Sequence, residues 1–247
     1  MKLFIVTGAS RGLGRAIAAQ LLQPGQHVLA IARRTDAALA ALASERGAAL
    51  SAWSQDLADA PAAARRLAAW LGEQPKADAA LINNAAALSE PAPLRDAGAA
   101  DLSNAVRVGL EAPLLLSAAF LRATTDWGSD RRILNISSGL GRRAMAGSAS
   151  YCAVKAGMDH FSRAVALEER TRPGGARIVS LAPGIIDTDM QLQLRGADRS
   201  RFPDGATFEA FKTGGRLDSP EAAAAKVLRF LARADFGQEP VSDVRQS

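Results

Sequence analysis

The sequence predicts an α/β fold: one domain over residues 1–247, built on a doubly wound parallel sheet. Two observations carry that expectation. Short apolar runs without helical period, Leu3 to Val6 the first of them, alternate with longer helical stretches. The residue types that bind and react (glycines, paired asparagines, a serine) fall just after those runs. Alternating strands and helices imply a parallel sheet with right-handed crossovers. In such sheets ligands gather beyond the carboxyl ends of the strands. No linker or break in composition divides the chain.

The elements follow in order. Residues 3–6, Leu-Phe-Ile-Val, read as a buried strand. Thr7-Gly8-Ala9-Ser10-Arg11-Gly12-Leu13-Gly14 comes next, then a helix from Arg15 until Pro24-Gly25 stops it. Strand, glycine-rich turn and helix give a backbone that can approach a pyrophosphate and a helix N-terminus with free N–H groups. The spacing is G-x-x-x-G-x-G, and such turns also arise for purely steric reasons. His27 to Arg33 is the second strand, with a helix after Asp36 to about Arg46. Its end offers Ala32, Arg33, Arg34 and Thr35, and no carboxylate before Asp36. An acidic residue there would bond a ribose 2′-hydroxyl, whereas arginine accommodates a 2′-phosphate. With Arg11 nearby, the expectation is NADP(H) over NAD(H); the alternative is that the arginines only cap the strand on a solvated surface.

Leu50 to Ser54 is a third strand, ended by Gln55-Asp56-Leu57, and Pro61 opens a helix that runs to Leu71. Ala79 to Ile82 is the fourth strand, closed by Asn83-Asn84-Ala85-Ala86. A long helical segment over about 99–123 carries Gly109 and Pro113 as interruptions. Arg131 to Ile136, and residues 176–181 before Ala182-Pro183-Gly184, are the next strands, with a helix over about 150–170 between them. Residues 189–216 read as irregular and polar, with short helical possibilities. Ser219-Pro220-Glu221 starts a last helix by serine cap and first-turn proline. A short strand is expected near 241–244.

Ser138, Tyr151 and Lys155 are the candidate reactive group. Tyr151 lies thirteen positions after Ser138, and Lys155 four beyond that. Four residues span about one helical turn, so the ammonium and the phenol share a face. An ammonium that close is expected to pull the tyrosine pKa down from about 10, letting it exchange a proton near neutral pH. Ser138 could offer its hydroxyl to the same carbonyl or alcohol oxygen. The alternative is a buried aromatic beside a snorkelling lysine, with no chemistry.

Composition narrows the function classes. Charged residues at 22% and apolar residues at 48% are ordinary for a globular chain. No run reads as about 18 uncharged apolar residues, and the start MKLFIVTGAS is too short for a secretory signal. The single cysteine, Cys152, excludes an intramolecular disulfide, and a cytoplasmic location is expected. Cys152 should point away from the reactive face as a buried, inert thiol. The net charge of +5 comes as scattered doublets, and aromatics at 5% do not interleave with them. Nucleic-acid binding is not expected. His27 and His160 lack ligand spacing, so no metal is assigned.

These motifs together resemble the classical short-chain dehydrogenase/reductase family over almost the whole chain, and the resemblance implies a Rossmann-type sheet. TGASRGLG at 7–14 is similar to its cofactor loop, placing Gly8, Ser10, Arg11, Gly12, Leu13 and Gly14 against the dinucleotide. Asp56 and Leu57 resemble its adenine-contacting pair, and Asn83 to Ala86 its NNAG element, with Asn83 and Ala85 as contacts. Pro183, Ile186 and Thr188 resemble the segment holding the nicotinamide carboxamide. The resemblance further implies NADPH-dependent reduction of a carbonyl to an alcohol, Tyr151 giving the proton, Ser138 bonding the oxygen, and Lys155 also bonding the nicotinamide ribose. Residues 189–216 become the substrate lid, where Phe202, Phe208 and Phe211 either line a pocket or pack in a core. Residues 237–245 faintly resemble the sepiapterin and benzil reductase branch.

One place departs from the family. Aligning Val108-Gly109-Leu110-Glu111-Ala112-Pro113 with the V-N-L-x-x-P pattern puts Gly109 where a relay asparagine usually stands. Water takes over the relay, or Asn104 or another group substitutes, or activity is reduced; the first is favoured. The departure also motivates a second class, a nucleotide-binding sensor with little turnover. Alanine-rich faces near 100–121 and 150–170 imply a homodimer or homotetramer, as in the family.

Overall fold

In the computed structural model, residues 1–246 are described. Among them seven strands form one parallel sheet in the order β3-β2-β1-β4-β5-β6-β7. These are β1 Lys2–Thr7, β2 Gln26–Ala32, β3 Ala49–Ser54, β4 Asp78–Asn83, β5 Arg131–Ile136, β6 Arg177–Ala182 and β7 Val241–Asp243. The order reverses direction beside β1, which opens a crevice between the ends of β1 and β4. Side chains alternate across each strand. Leu3 and Ile5 therefore join a core layer with Leu67, Leu116 and Phe120. Val6 joins the opposite layer with Ile17, Val227 and Phe230. The strands are apolar on both faces because helices cover both.

Helix α1 (Gly12–Leu21) packs against α9 (Pro220–Leu231), and α3 (Ala60–Gly72) against α5 (Ala112–Ala123), on opposite sides of the sheet. Asp59 caps α3 through the Ala62 N–H, and Ser219 caps α9 through that of Ala222, each with proline in the first turn as read from the sequence. Asp36 caps α2 (Ala37–Arg46), and Gly47 ends it in the left-handed conformation.

The segment over 99–123 is helical throughout but not uniform. It runs as α4 (Ala99–Val106), a π-turn over Arg107–Glu111, and α5. Pro113 lacks an N–H for the carbonyl four residues back, and the wide turn lies directly before it. Gly109 is buried in that turn, where a Cβ would come within 2.6 Å of Val154 Cγ1. Its glycine is thus a packing requirement of the contact with α6 (Ala149–Arg170). By length and hydropathy this 25-residue rod is apolar enough to cross a membrane, although Asp101, Arg107, Glu111 and Arg122 leave it no uncharged run of about 18 residues. Its apolar face is packed instead: Ala112, Leu116, Ala119 and Phe120 are all at most 1% exposed.

The polar stretch 189–216 contains α7 (Asp189–Arg195) and α8 (Gly205–Thr213). They build a third apolar cluster, Met145, Leu194, Phe202 and Phe208, apart from the two sheet layers.

Candidate active site

The strand ends bring the sequence motifs to one rim. Pairing of Val6 with Ile82, Asn83 with Asn135, and Ile136 with Leu181 puts the ends of β1, β4, β5 and β6 side by side. Thr7 ties two of them: its hydroxyl accepts from the N–H groups of Asn84 at 2.9 Å and Ala85 at 3.0 Å. Beyond this rim lies an open cleft of about 940 Å³.

One half of the cleft is floored by backbone. Gly8 has φ +70°, and a Cβ there would meet Asn84 Nδ2 at 2.9 Å. At Gly14 a Cβ would lie 2.3 Å from the Gly8 carbonyl oxygen and from Asn84 Nδ2. The first turn of α1 can lie against the turn after β1 only because both residues lack side chains. Ser10, Arg11, Gly12, Leu13, Asp56, Leu57, Ala85, Pro183, Ile186 and Thr188 line the cleft with them. A dinucleotide fits here on the structure's own terms: the cradle is one that a Cβ would fill, at a helix N-terminus.

Two sequence-predicted contacts lie elsewhere. Asn83 is 1% exposed, and its Nδ2 donates to Asn135 Oδ1 at 2.8 Å and Ser117 Oγ at 3.2 Å. It braces β4 against β5 and α5, while Asn84 faces the cleft and donates to the Thr7 carbonyl at 2.9 Å. Arg34 lies in a small hollow with Asp36 and Leu39, off the cleft. At Asn83, the last residue of β4, the cause is facing: a shift of one residue along a strand turns the side chain to the other face. Arg33 does line the cleft, and its guanidinium has no partner among the described residues. Asp36, the nearest carboxylate after β2, is taken up by Arg15 Nε at 2.6 Å and the Ala38 N–H at 2.9 Å. Arg11 pairs across the cleft with Asp189 of α7 at 2.7 Å, with both side chains exposed.

The other half is walled by side chains. Ser138, Tyr151 and Lys155 all line it, Ser138 after β5 and the other two on α6. Ser138 Oγ accepts the Leu140 N–H at 3.2 Å, forming a 3-10 turn over Gly139–Gly141. Lys155 is 2% exposed; its Nζ donates to the Ile136 carbonyl at 2.6 Å and lies 5.6 Å from the Tyr151 ring centre. The expected lowering of the tyrosine pKa is reversed. Burial pushes the Tyr151 phenol up to about 12, against the opposing effect of its hydrogen bond with Ser138. Burial likewise pulls Lys155 down to about 8, against the charge of Asp159. Helical spacing leaves the Lys155 ammonium 5.6 Å from the ring centre and bonded to the Ile136 carbonyl, and burial in the low-dielectric wall is the largest influence on the phenol. Tyr151 therefore stands protonated at neutral pH, the state from which a proton donor starts.

The sequence leaves some other lining residues as alternatives and misses others altogether. Asn104 borders the cleft from α4, while Gly109 does not. Phe208 and Phe211 line it, but Phe202 is fully buried. Arg143, Arg216 and the buried Gln191, whose Oε1 has no partner, come from loops and short helices without a motif. Cys152 is half-buried, not fully buried, and packs behind this wall with the third apolar cluster. No three His, Cys, Asp or Glu side chains form a metal-holding group among the described residues.

Residues 2–199 match the short chain dehydrogenase family. A benzil reductase ((S)-benzoin forming) of Bacillus cereus is 35% identical over 244 residues, covering 98% of each chain. Mouse (Mus musculus) sepiapterin reductase is 33% identical, covering 94% of this chain and 92% of its own. A metagenomic short-chain oxidoreductase solved in complex with NADP superposes with a TM-score of 0.75 at 27% identity, over 98% of this chain and 94% of the other. Fold and site together define an oxidoreductase on a Rossmann-type sheet that takes a nicotinamide cofactor. The chain belongs to the short-chain dehydrogenase/reductase family.

Proposed function

We propose that this protein is an NADPH-dependent carbonyl reductase in which Tyr151 is the general acid. The observation that carries this reading is the placement of Ser138, Tyr151 and Lys155 on the wall of a cleft floored by the Gly8–Gly14 turn. The nicotinamide, when bound, supplies the hydride that reaches the carbonyl carbon. Tyr151 gives its phenolic proton to the carbonyl oxygen, Ser138 holds that oxygen by a hydrogen bond, and Lys155 offsets the charge left on the phenolate. Burial keeps Tyr151 protonated, and Lys155, although burial draws it down to about 8, is still mostly charged at neutral pH, so both begin in the form that reduction needs.

Preference for the phosphorylated cofactor rests on Arg33, unpaired at the cleft, and on Asp36, whose carboxylate is already bonded. The named relatives reduce benzil and sepiapterin, and Phe208 with Phe211 gives this cleft an aromatic wall, 5.9 Å between ring centres. Aromatic ketones and diketones are therefore the substrate class, with residues 189–216 as the lid over them. Exposed Val106, Leu114 and Leu167 lie on the α4–α5 rod and α6, which suits a homodimer or homotetramer in the cytoplasm; a monomer in light scattering would remove that assignment. A screen of carbonyl compounds, followed by loss of the NADPH absorbance, tests the activity. Gly109 is the observation that favours a sensor instead, and NADPH binding without oxidation across the whole screen would decide for it.

A further inference from the structure

We propose that Asp159 is a positioning residue of the reaction centre, holding the Lys155 ammonium charged and the Ser138 loop in place on α6. The proposal rests on the roles just given to Ser138, Tyr151 and Lys155.

Asp159 is 2% exposed in the middle of α6, one helical turn beyond Lys155. A carboxylate this deep persists only where donors and charges surround it. Its Oδ1 accepts from Ser137 Oγ at 2.5 Å and Ser180 Oγ at 2.7 Å, and its Oδ2 from Arg142 Nε at 3.3 Å. Ser137 immediately precedes Ser138, and Arg142 closes the 3-10 turn after it. Both ends of the loop that carries Ser138 are therefore tied to one carboxylate. Gly141 lies between those ends, where a Cβ would be 2.9 Å from Asp159 Oδ2 and 3.0 Å from the Lys155 carbonyl. The loop thus rests directly on the Lys155–Asp159 turn of α6.

The same carboxylate opposes the effect of burial on Lys155. The other charges around it favour no substitute. Arg142 approaches Asp159 from the loop and donates to the Ser242 carbonyl at 2.8 Å. On β7, Asp243 is held by Arg245 at 2.5 Å. Ser137 after β5 and Ser180 on β6 contribute no charge, and His160 and Arg163 on α6 are exposed. Asp159 is the negative charge on Lys155's own helix and one turn from it.

The test compares D159N and D159E with the wild type, using NADPH and benzil. Reduction needs a charged Lys155, so wild-type kcat falls as pH rises through about 8. In D159N that fall is expected to move to lower pH, with kcat at neutral pH down about tenfold and NADPH affinity within about threefold. D159E should bring the fall back toward its wild-type position. Wild-type kcat and an unmoved fall in D159N, or equal shifts in D159N and D159E, would overturn the proposal. If D159N does not fold, S137A takes its place, since it frees one end of the loop and leaves both charges. Lower kcat at unchanged NADPH affinity is then expected, and unchanged kcat overturns it. Y151F separates the two levels: undiminished turnover there sinks the acid assignment itself, whereas loss there beside an unaffected D159N sinks only the role of Asp159.

Discussion

The two halves of the cleft are built by different means. The half at the Gly8–Gly14 turn is made by strand ends and backbone, with positions fixed by sheet register and by atoms that leave no space for a Cβ. The half beyond Tyr151 is made by side chains from the 3-10 turn, α7 and α8, which pack mainly on one another. The first fits what every member of such a fold must bind; the second can vary without disturbing the sheet. Cofactor binding should therefore fail through backbone geometry, and substrate choice should change through side-chain replacement.

The sharpest break is expected at Gly14. A Cβ placed 2.3 Å from the Gly8 carbonyl must displace backbone, and overpacking of that kind costs about 1–3 kcal/mol. G14A should weaken NADPH binding about ten- to a hundredfold, measured by nicotinamide fluorescence; unchanged affinity would mean the turn is no cradle. At Gly109 the relay asparagine that the family pattern invites has no room beside Val154 Cγ1, and valine cannot swing aside easily. G109N should lower the melting temperature by several degrees, about 1–3 kcal/mol, without a gain in turnover. G109N/V154A should recover much of the stability, and a stable, faster single variant would contradict this account.

Smaller effects separate the halves further. R33Q should lower NADPH affinity about tenfold and leave NADH affinity unchanged; an equal loss for both would leave Arg33 a surface charge. F211A should reduce kcat/KM for an aromatic ketone about threefold to tenfold with NADPH affinity unaltered. If NADPH affinity fell as well, the halves would not be separable.

The contrast also explains what the sequence disclosed. Strand runs, the cap at Ser219, the first-turn prolines and the glycine turn are local, and local patterns express themselves in nearby residues. The order of motifs after strands anticipated nearly all of the residues that line the cleft at the glycine turn. The exceptions are Asn83, whose facing only the sheet resolves, and Arg34, which the bend after β2 carries off the cleft. The sign of the Tyr151 shift was invisible for a different reason: spacing reveals a neighbouring charge but not the depth of burial that opposes it. Arg143, Arg216 and Gln191 carry no pattern at all, since they meet only through tertiary packing. Asp159 was equally silent, a carboxylate on a helix until β5, β6 and the 3-10 turn close over it.

The most direct measurement is stopped-flow oxidation of bound NADPH by excess benzil in the wild type and in Y151F. The account predicts stoichiometric oxidation with alcohol formation in the wild type. Y151F should bind NADPH equally well and react about 10²–10⁴-fold more slowly. Equal rates in the two proteins, or tight NADPH binding with no oxidation by any ketone or diketone in the wild type, would contradict it.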